Sequence, residues 1–179
     1  MTSQSGGEVD AAVVGRVLED LVTNLSDENP VAPRGKLLET IRFSPESATW
    51  KQTVDMVLYE HEPQRWQRLT EPQRAAVREA AGHLVARTLT APQHLELHDV
   101  PKPITVIDKP ATTDGAERGP PGVFERPIRA WLPGYSDDQS VAVVRLSIPW
   151  SIHHAEATYV LQRADGKWAV LLRQFVYYL

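Results

Sequence analysis

The chain has 179 residues, a formal net charge of −4 and no cysteine. A chain of this length fits one domain with a hydrophobic core of its own. The absence of cysteine excludes disulfides, thiolate catalysis and cysteine-ligated metal clusters. The negative charge argues against a broad nucleic-acid surface, because such a surface needs a basic excess to exchange counterions with phosphates.

The start of the chain, from Met1 to Asp10, is polar and contains no apolar run. We therefore expect no secretory signal there. Nowhere do eighteen apolar residues follow one another, so we expect no membrane contact. The sequence predicts a soluble, cytoplasmic protein without a cofactor.

The first folded segment is predicted to be a helix. Residues 1–8 are predicted to be a disordered tail. From Val9 onward, apolar residues recur at steps of three and four, which is the period of an amphipathic helix, and this pattern ends near Asn24. After a loop, Lys36–Phe43 is predicted as a strand. Trp50–Glu60 fits a helix and a strand equally, and both alternatives stay open.

A second helix is predicted near the middle of the chain. Thr70 is a capping residue type, Pro72 suits a first helical turn, and Gln73 stands three residues after the cap. Apolar residues behind them recur with the helical period. We therefore place a helix at residues 71–89.

Two short strands are predicted next, His94–Val100 and Ile104–Ile107. Residues 109–122 are rich in proline, glycine and other turn formers and hold no large apolar side chain, so we predict a mobile surface loop. Because neither side of this loop looks able to fold alone, residues 9–179 are predicted to form a single domain.

The last forty residues predict an antiparallel β-meander. Ser140–Trp150, Ile152–Arg163 and Lys167–Leu179 are rich in β-branched and aromatic residues, and Asp165-Gly166 is a strong hairpin signal. A fourth strand at Phe124–Leu132 completes the predicted sheet. Helices followed by such a meander predict an α+β fold, with N-terminal helices packed on one face of a C-terminal antiparallel sheet.

The predicted hairpin fixes which side chains share a face of the sheet. With Ala164 opposite Lys167, odd-numbered residues of the middle strand and even-numbered residues of the last strand point the same way. That face is almost wholly apolar and holds Ala155, Ala157, Tyr159, Leu161, Val170, Leu172, Gln174, Val176 and Tyr178, joined by Ile148 and its alternate neighbours if Ile152 pairs with Pro149. We predict that it packs against the helices, whereas the mixed face with Thr158 and Arg173 is half solvated.

The C-terminal hairpin also carries a family resemblance. The strand His153–Leu161, the turn Asp165-Gly166-Lys167-Trp168 and Phe175 resemble the nuclear transport factor-like superfamily. This is the cone-shaped, cystatin-like α+β fold shared with polyketide cyclases and ketosteroid isomerases. The proline-rich insertion at 109–122 departs from the family. The resemblance implies the cone-shaped fold and no single function, because its members range from enzymes to binding modules.

A candidate ligand site lies on the predicted apolar face. His153 would stand near two alanines, which leave either room for a helix or the floor of a pocket. In a pocket, His153 could orient a ligand or move a proton, and Gln174, Tyr178 and Tyr159 on the same face would contact the ligand. The alternative is a histidine at the end of the sheet that hydrogen-bonds a neighbour.

Two other polar patterns have a functional and a structural interpretation. His94, Glu96 and His98 would share one face of a strand and are donor types for zinc or iron, but any half-exposed strand shows the same alternation. We therefore assign no metal and keep His94 and His98 as the metal candidates. Arg145 and Arg173 interrupt apolar runs; an anionic ligand is one explanation, and a solvent-facing position on the sheet is the one we predict.

Two functional hypotheses of different class follow. The first is a non-catalytic domain that binds a small apolar or polar ligand or another protein, and forms a homodimer through a half-apolar outer sheet face with Val160, Leu171, Phe175 and Tyr177. The second is a small-molecule enzyme of isomerase, cyclase or hydratase type, with His153 as its catalytic residue. No aspartate falls at a clear general-base position, which favours the first hypothesis. Whether any catalysis occurs is left open.

Overall fold

A computed structural model describes residues 6–58, 66–107, 126–150 and 153–178. The elements are α1 (Gly6–Thr23), a 3₁₀ turn (Pro33–Gly35), β1 (Ile41–Ser44), α2 (Val54–Leu58), α3 (Glu71–Arg87), β2 (Ile104–Val106), β3 (Ile128–Ala130), β4 (Gly134–Tyr135), β5 (Val141–Trp150), β6 (His153–Ala164) and β7 (Lys167–Tyr178). The predicted α+β class is confirmed, with helices mostly before a mostly antiparallel sheet. None of the helices in the described ranges has the length and apolar character needed to cross a membrane.

The strands form one seven-stranded sheet in the order β2-β1-β3-β5-β6-β7, with β4 paired to β5 beside this path. β1 runs parallel to β2 and β3, and the other pairings are antiparallel. The long strands β5, β6 and β7 are the predicted meander. Its last hairpin turns at Asp165 and Gly166, whose φ angles of 50° and 76° are the left-handed values that a two-residue loop requires.

Helices cover both faces of this sheet. α1 packs on one face (the α1 face), in a core with Val144, Leu146 and Tyr159. α2 and α3 pack on the other (the α2–α3 face), in a core with Val143 and Val160. The prediction that helices cover only one face is therefore wrong. The physical reason for the difference is that the face predicted to be half solvated carries apolar residues at one end, and these residues are buried against α3.

A β-bulge changes the predicted register between β6 and β7. Leu161 faces Val170 as predicted, but Val160 faces Leu172, so Leu171 is an extra residue on β7. Side chains alternate between faces along a strand, so one extra residue exchanges the two faces for the rest of β7. As a result Arg173, Phe175 and Tyr177 lie on the α1 face with Tyr159, whereas Leu172, Gln174, Val176 and Tyr178 lie on the α2–α3 face with Thr158.

The β5–β6 hairpin is shifted by two residues from the predicted pairing, and this shift does not change which face each side chain occupies. Pro149 pairs with His154, where Ile152 was predicted, so the offset is an even number of residues. An even offset leaves every side chain on its original face. The prediction that Ile148 and its alternate neighbours lie on the same face as Ala155 is therefore confirmed.

The helices follow the sequence signals closely. α1 begins at Gly6, inside the predicted tail of residues 1–8, and α2 resolves the open choice at 50–60 in favour of a helix for Val54–Leu58. At the start of α3, the Thr70 hydroxyl accepts a hydrogen bond from the backbone N–H of Gln73, and the Gln73 side chain accepts one from the N–H of Thr70. This reciprocal capping box is the predicted one.

Residues 94–100 do not form the predicted strand. His94 makes one isolated bridge with Glu46, and Asp99 has a positive φ of 54°, which interrupts an extended backbone. The alternation of leucine and polar residues here reflects the partial burial of an irregular segment beside the core. The predicted mobile loop at 109–122 lies outside the described residues.

A buried carboxylate links the helices on opposite faces of the sheet. Asp10 of α1 accepts hydrogen bonds from Arg87 of α3 at 3.0 Å and from the Tyr135 hydroxyl at 2.8 Å. Arg87 also donates to the carbonyl oxygen of Pro133. Burial, reinforced by the nearby Asp10 charge, raises the pKa of Tyr135, so its hydroxyl stays a donor. One carboxylate therefore fastens α1, α3 and β4 together.

Replacing Asp10→Ala is expected to lower the free energy of unfolding by about 2 kcal/mol or more, because it leaves the Tyr135 hydroxyl and one edge of Arg87 without an acceptor. Urea denaturation followed by circular dichroism measures this. The control is Asp27→Ala at an exposed position, for which we expect a change within about 0.5 kcal/mol. Equal midpoints for the two variants would show that the link adds no stability.

Candidate ligand site on the α2–α3 face

Buried polar side chains replace the apolar core over part of the α2–α3 face. Arg145 is 0% exposed and Gln174 1% exposed, and Thr158 lies between them as the cross-strand neighbour of both. Glu156 is 5% exposed and stands two residues along β6 from Thr158. These four residues are the polar site. Buried polar groups of this kind are costly and call for an explanation.

The site arises because each long strand changes character along its length. On this face, the residues of β6 change from Val160 to Thr158 and Glu156, and the cross-strand partners on β5 change from Val143 to Arg145. The apolar ends meet α3 and its core cluster. The polar ends meet α2, whose backbone carbonyl groups face the sheet.

The charged groups of the site are paired with each other. Arg145 donates to Glu156, to the carbonyl oxygen of Met56 and to the Thr158 hydroxyl at 3.2 Å. Thr158 in turn donates to the carbonyl oxygen of Val57 at 2.8 Å. Burial lowers the pKa of Arg145 to about 10, which still leaves the guanidinium protonated at neutral pH. The ion pair therefore anchors α2 on the sheet and is neutral as a unit.

Arg145 also lies over an aromatic side chain. Its guanidinium carbon is 6.0 Å from the centre of the buried Trp131 ring, within the range of a cation–π contact. The Trp131 indole N–H donates to the carbonyl oxygen of Trp50 at 3.1 Å. This contact holds the segment before α2 against the sheet, and that segment carries Gln52.

Several polar atoms of this region have no hydrogen-bond partner among the described residues. They are the Nε atom of Arg145 and both side-chain amide atoms of Gln174 and of Gln52, each of which is buried. An unpaired buried donor or acceptor costs about 1–3 kcal/mol, and native proteins hold few of them. The unpaired carboxamide of Gln174 and the unpaired Nε–H of Arg145 therefore give the polar site unused capacity for hydrogen bonds.

Exposure increases toward the end of the sheet that carries Tyr178. The Tyr178 side chain is 36% exposed, and its hydroxyl donates to Glu156 at 3.2 Å. Its ring stacks on the exposed His154 ring with centroids 4.7 Å apart. A molecule approaching the polar site from solvent would therefore first meet Tyr178.

The structure brings together some of the predicted ligand residues and separates others. The β-bulge moves Gln174 and Tyr178 of β7 to the α2–α3 face, whereas Tyr159 of β6 stays on the α1 face with Ala155 and Ala157. Burial raises the pKa of Tyr159, and its hydroxyl has no partner among the described residues. The backbone of His153 pairs with Trp150 at the start of β6, and its side chain lies outside the described residues.

The two metal candidates do not form a site. His94 and His98 are exposed, and no group of three or more metal-ligating side chains occurs in the part of the chain that the structure describes. The prediction of a solvent-facing position is wrong for Arg145, whereas the Arg173 side chain is 40% exposed but lies on the α1 face instead of the face that carries Thr158. Arg145 is buried in the polar site, and Arg173 forms two hydrogen bonds of 2.9 Å with Asp20 of α1.

Sequence reasoning singled out Arg145 but placed it in solvent, and it did not connect Glu156 with it. A signal for this pair exists: an arginine inside a β-branched run and a glutamate inside the next strand fall on the same face once the hairpin is drawn.

A separate groove of about 790 Å³ follows the outer side of α1. Its other walls are the segment from Glu96 to Pro101 and the tip of the β6–β7 hairpin at Trp168. Small residues of α1 form part of its lining, and four carboxylates face two cations around it: Glu8, Glu19, Glu96 and Asp99 against Arg16 and Lys167. Arg16 is already paired with Glu19.

The sequence matches no protein-family model, no curated protein and no solved structure. The polar site combines an ion pair, the buried carboxamide of Gln174 without a partner among the described residues, and one partly exposed end. Such a combination can orient a small polar molecule through hydrogen bonds.

Proposed function

We propose that the chain is a non-catalytic binding domain that holds a small polar ligand in the polar site. The observation that supports this most strongly is Gln174, which is buried across Thr158 from Arg145 and has both amide atoms unpaired among the described residues. A buried glutamine without partners lowers stability. Polar groups kept at such a cost are typical of sites selected for binding, where the ligand supplies the missing hydrogen bonds.

A binding role fits the ionisable groups better than a catalytic one. Glu156 already accepts hydrogen bonds from Arg145 and Tyr178. Both of these hydrogen bonds are made to Oε2 of Glu156, so that oxygen contacts groups of the chain itself and is not directed at the proton of a substrate. The enzyme hypothesis depends on His153 and stays a prediction.

Replacing Gln174→Met tests the proposal, because methionine fills a similar volume without polar atoms. We expect the free energy of unfolding to rise by about 1 kcal/mol, since the unpaired amide is removed, and ligand binding to be lost. Urea denaturation measures the first effect. Native mass spectrometry of the full chain, purified under gentle conditions, measures any small molecule that stays bound.

The matched control is Gln67→Met, which changes an exposed glutamine and should leave both readouts as in the parent chain. A Gln174→Met variant that is less stable by 1 kcal/mol or more would mean that the amide has partners in solution. A bound molecule that survives in this variant would place the ligand elsewhere.

The finer predictions about location, assembly and family belong to the same proposal. A cytoplasmic location and membership of the nuclear transport factor-like superfamily are kept as predictions. Only part of the surface predicted for the homodimer is exposed. Val160 is buried under the helices, whereas Leu171 and Tyr177 on the edge strand β7 are exposed. Light scattering at high protein concentration tests the dimer, and a monomer would remove it.

A second candidate function is binding of a partner protein in the groove along α1. The observation that favours it is the charge of the groove, whose lining contains four carboxylates and two cations. Because this lining has an excess of acidic residues, it suits a partner segment rich in lysine or arginine. Fluorescence anisotropy of a labelled Lys–Ala peptide tests it. We expect salt-sensitive binding that Glu96→Lys weakens and that Glu39→Lys, at an exposed site outside the groove, does not.

A further inference from the structure

We infer that the groove along α1 binds a basic, amphipathic helix of about three turns, laid alongside α1. This inference rests on the second candidate function and adds to it the conformation and the charge pattern of the partner segment. It follows from the length of the α1 wall, from the kind of backbone in that wall, and from the charges that line the groove.

One face of α1 forms a long wall of the groove. The lining residues of α1 recur at steps of three, one, three, one and three, which is the spacing of a single stripe on a helix: Glu8, Ala11, Ala12, Gly15, Arg16 and Glu19. From the first to the last of them α1 rises by about 16 Å, which is about three turns. The wall therefore matches a short helix in length.

The backbone of this wall favours a helical partner over an extended one. The N–H and C=O groups inside α1 are hydrogen-bonded within the helix, so an extended peptide pressed against it would have backbone groups without partners wherever the contact excludes water. Peptides that bind in the extended conformation add to an exposed sheet edge instead. A helix satisfies its backbone internally, so it can lie against α1 through side chains alone.

Small side chains in the middle of the wall allow a close approach. The lining residues there are Ala11, Ala12 and Gly15, and nothing lies within 4 Å of a Cβ placed at Gly15. Packed helices lie about 8–10 Å apart, and the side chains at the contact set the distance. Trp168, which is half-buried, is the large apolar side chain of the lining. We therefore expect the partner helix to carry a narrow apolar face.

The charges of the lining favour a basic partner. Arg16 is paired with Glu19, and outside this pair the lining holds three carboxylates and one ammonium group, that of Lys167. Glu96 and Asp99, which are two of these carboxylates, are exposed. A partner helix with lysine or arginine beside its apolar face would bring cations to these carboxylates, whereas the α1 helix of a second copy would bring further carboxylates.

Two labelled peptides of equal charge test the conformation. One is a Lys–Ala peptide of about twelve residues with its alanines at helical spacing, and the other has proline at one central alanine, which prevents a continuous helix. Free peptides of this length are marginally helical in water, so binding as a helix should raise the circular dichroism of the mixture above the sum of its parts. We expect this increase only for the first peptide, which should bind about tenfold or more tightly than the second in fluorescence anisotropy at low salt.

A matched pair of leucine substitutions locates the contact. Ala12→Leu places a bulky side chain on the exposed face of α1 in the groove, and Ala75→Leu makes the same change at an exposed position of α3 outside it. Leucine is nearly as good a helix former as alanine, so both variants should fold. We expect Ala12→Leu to weaken binding of the Lys–Ala peptide about tenfold or more, because leucine holds the two helices apart, and Ala75→Leu to leave binding unchanged.

The outcomes separate this inference from the function on which it rests. If both peptides bind equally, and Glu96→Lys weakens both, the groove binds a basic segment that is not helical; the second candidate function is then supported and the inference is overturned. If neither peptide binds at low salt, both fail. Unchanged binding to Ala12→Leu would also overturn the inference. Light scattering tests the remaining occupant: a dimer of the parent chain that Ala12→Leu converts to a monomer would assign the groove to a second copy and overturn the inference.

Discussion

Replacing Arg145→Met is expected to lower the free energy of unfolding by about 3–5 kcal/mol, because it leaves the Glu156 carboxylate buried without its counterion. Glu156 is 5% exposed and would keep only the Tyr178 hydroxyl as a donor. The same change removes the hydrogen bonds that Arg145 gives to Met56 and Thr158. Urea denaturation, with a check that the transition stays cooperative, measures the loss.

A double variant separates the destabilisation caused by an unpaired Glu156 carboxylate from the net contribution of the ion pair to the free energy of unfolding. Arg145→Met combined with Glu156→Leu removes both charges, and we expect it to recover most of the lost stability, because well-packed apolar residues often replace buried ion pairs without loss. The exposed pair of Arg74 and Glu71 is the control, and Arg74→Met should cost about 1 kcal/mol or less. If Arg145→Met costs no more than Arg74→Met, Glu156 has access to water or another partner.

The Arg145/Glu156 double variant also bears on function. A chain that is stable without the pair but no longer holds its ligand would mean that the pair is kept for binding. A chain that is stable and still holds the ligand would mean that Gln174 suffices for binding without the ion pair. The two outcomes assign different roles to the ion pair, and native mass spectrometry distinguishes them.

Replacing Gly134→Ala is expected to lower the free energy of unfolding by about 3 kcal/mol or more, at the upper end of the cost of overpacking. A Cβ atom at Gly134 would lie closer than 3.0 Å to the backbone of α3, at the carbonyl oxygen of Ala80 and the nitrogen of Leu84. Backbone atoms cannot rotate away as a flexible side chain can. To fit the methyl group, α3 must therefore shift away from β4.

The control for this substitution lies on the same helix. Gly82 of α3 has open space where a Cβ would stand, so Gly82→Ala should raise the free energy of unfolding by about 0.5–1 kcal/mol through helix propensity. The two glycine-to-alanine changes should therefore have opposite signs. Thermal and urea unfolding of both variants measure this, and a neutral Gly134→Ala would mean that α3 and β4 are less closely packed in solution.

Local sequence signals determined much of this architecture. The capping box at Thr70 placed the start of α3, and the Asp165-Gly166 turn placed the last hairpin together with its first pairs. Alternation along β5 and β6 assigned their faces correctly, because the side-chain period of a strand is two and an even error in register changes nothing. These signals act within a few residues, so they can be seen without the rest of the chain.

The tertiary structure decided the features that matter for the proposed site. The extra residue Leu171 places Gln174 on the same face of the sheet as Arg145 and opposite to Tyr159, and no local pattern in β7 predicts it. Docking of α2 and α3 buries a face that is polar over half its length, so Arg145 and Glu156 become a buried pair. The sequence by itself determined elements and most face assignments through short-range periodicity. Burial, and the placement of Arg145 and Gln174 on either side of Thr158, depend on packing between segments far apart in the chain, which local patterns do not encode.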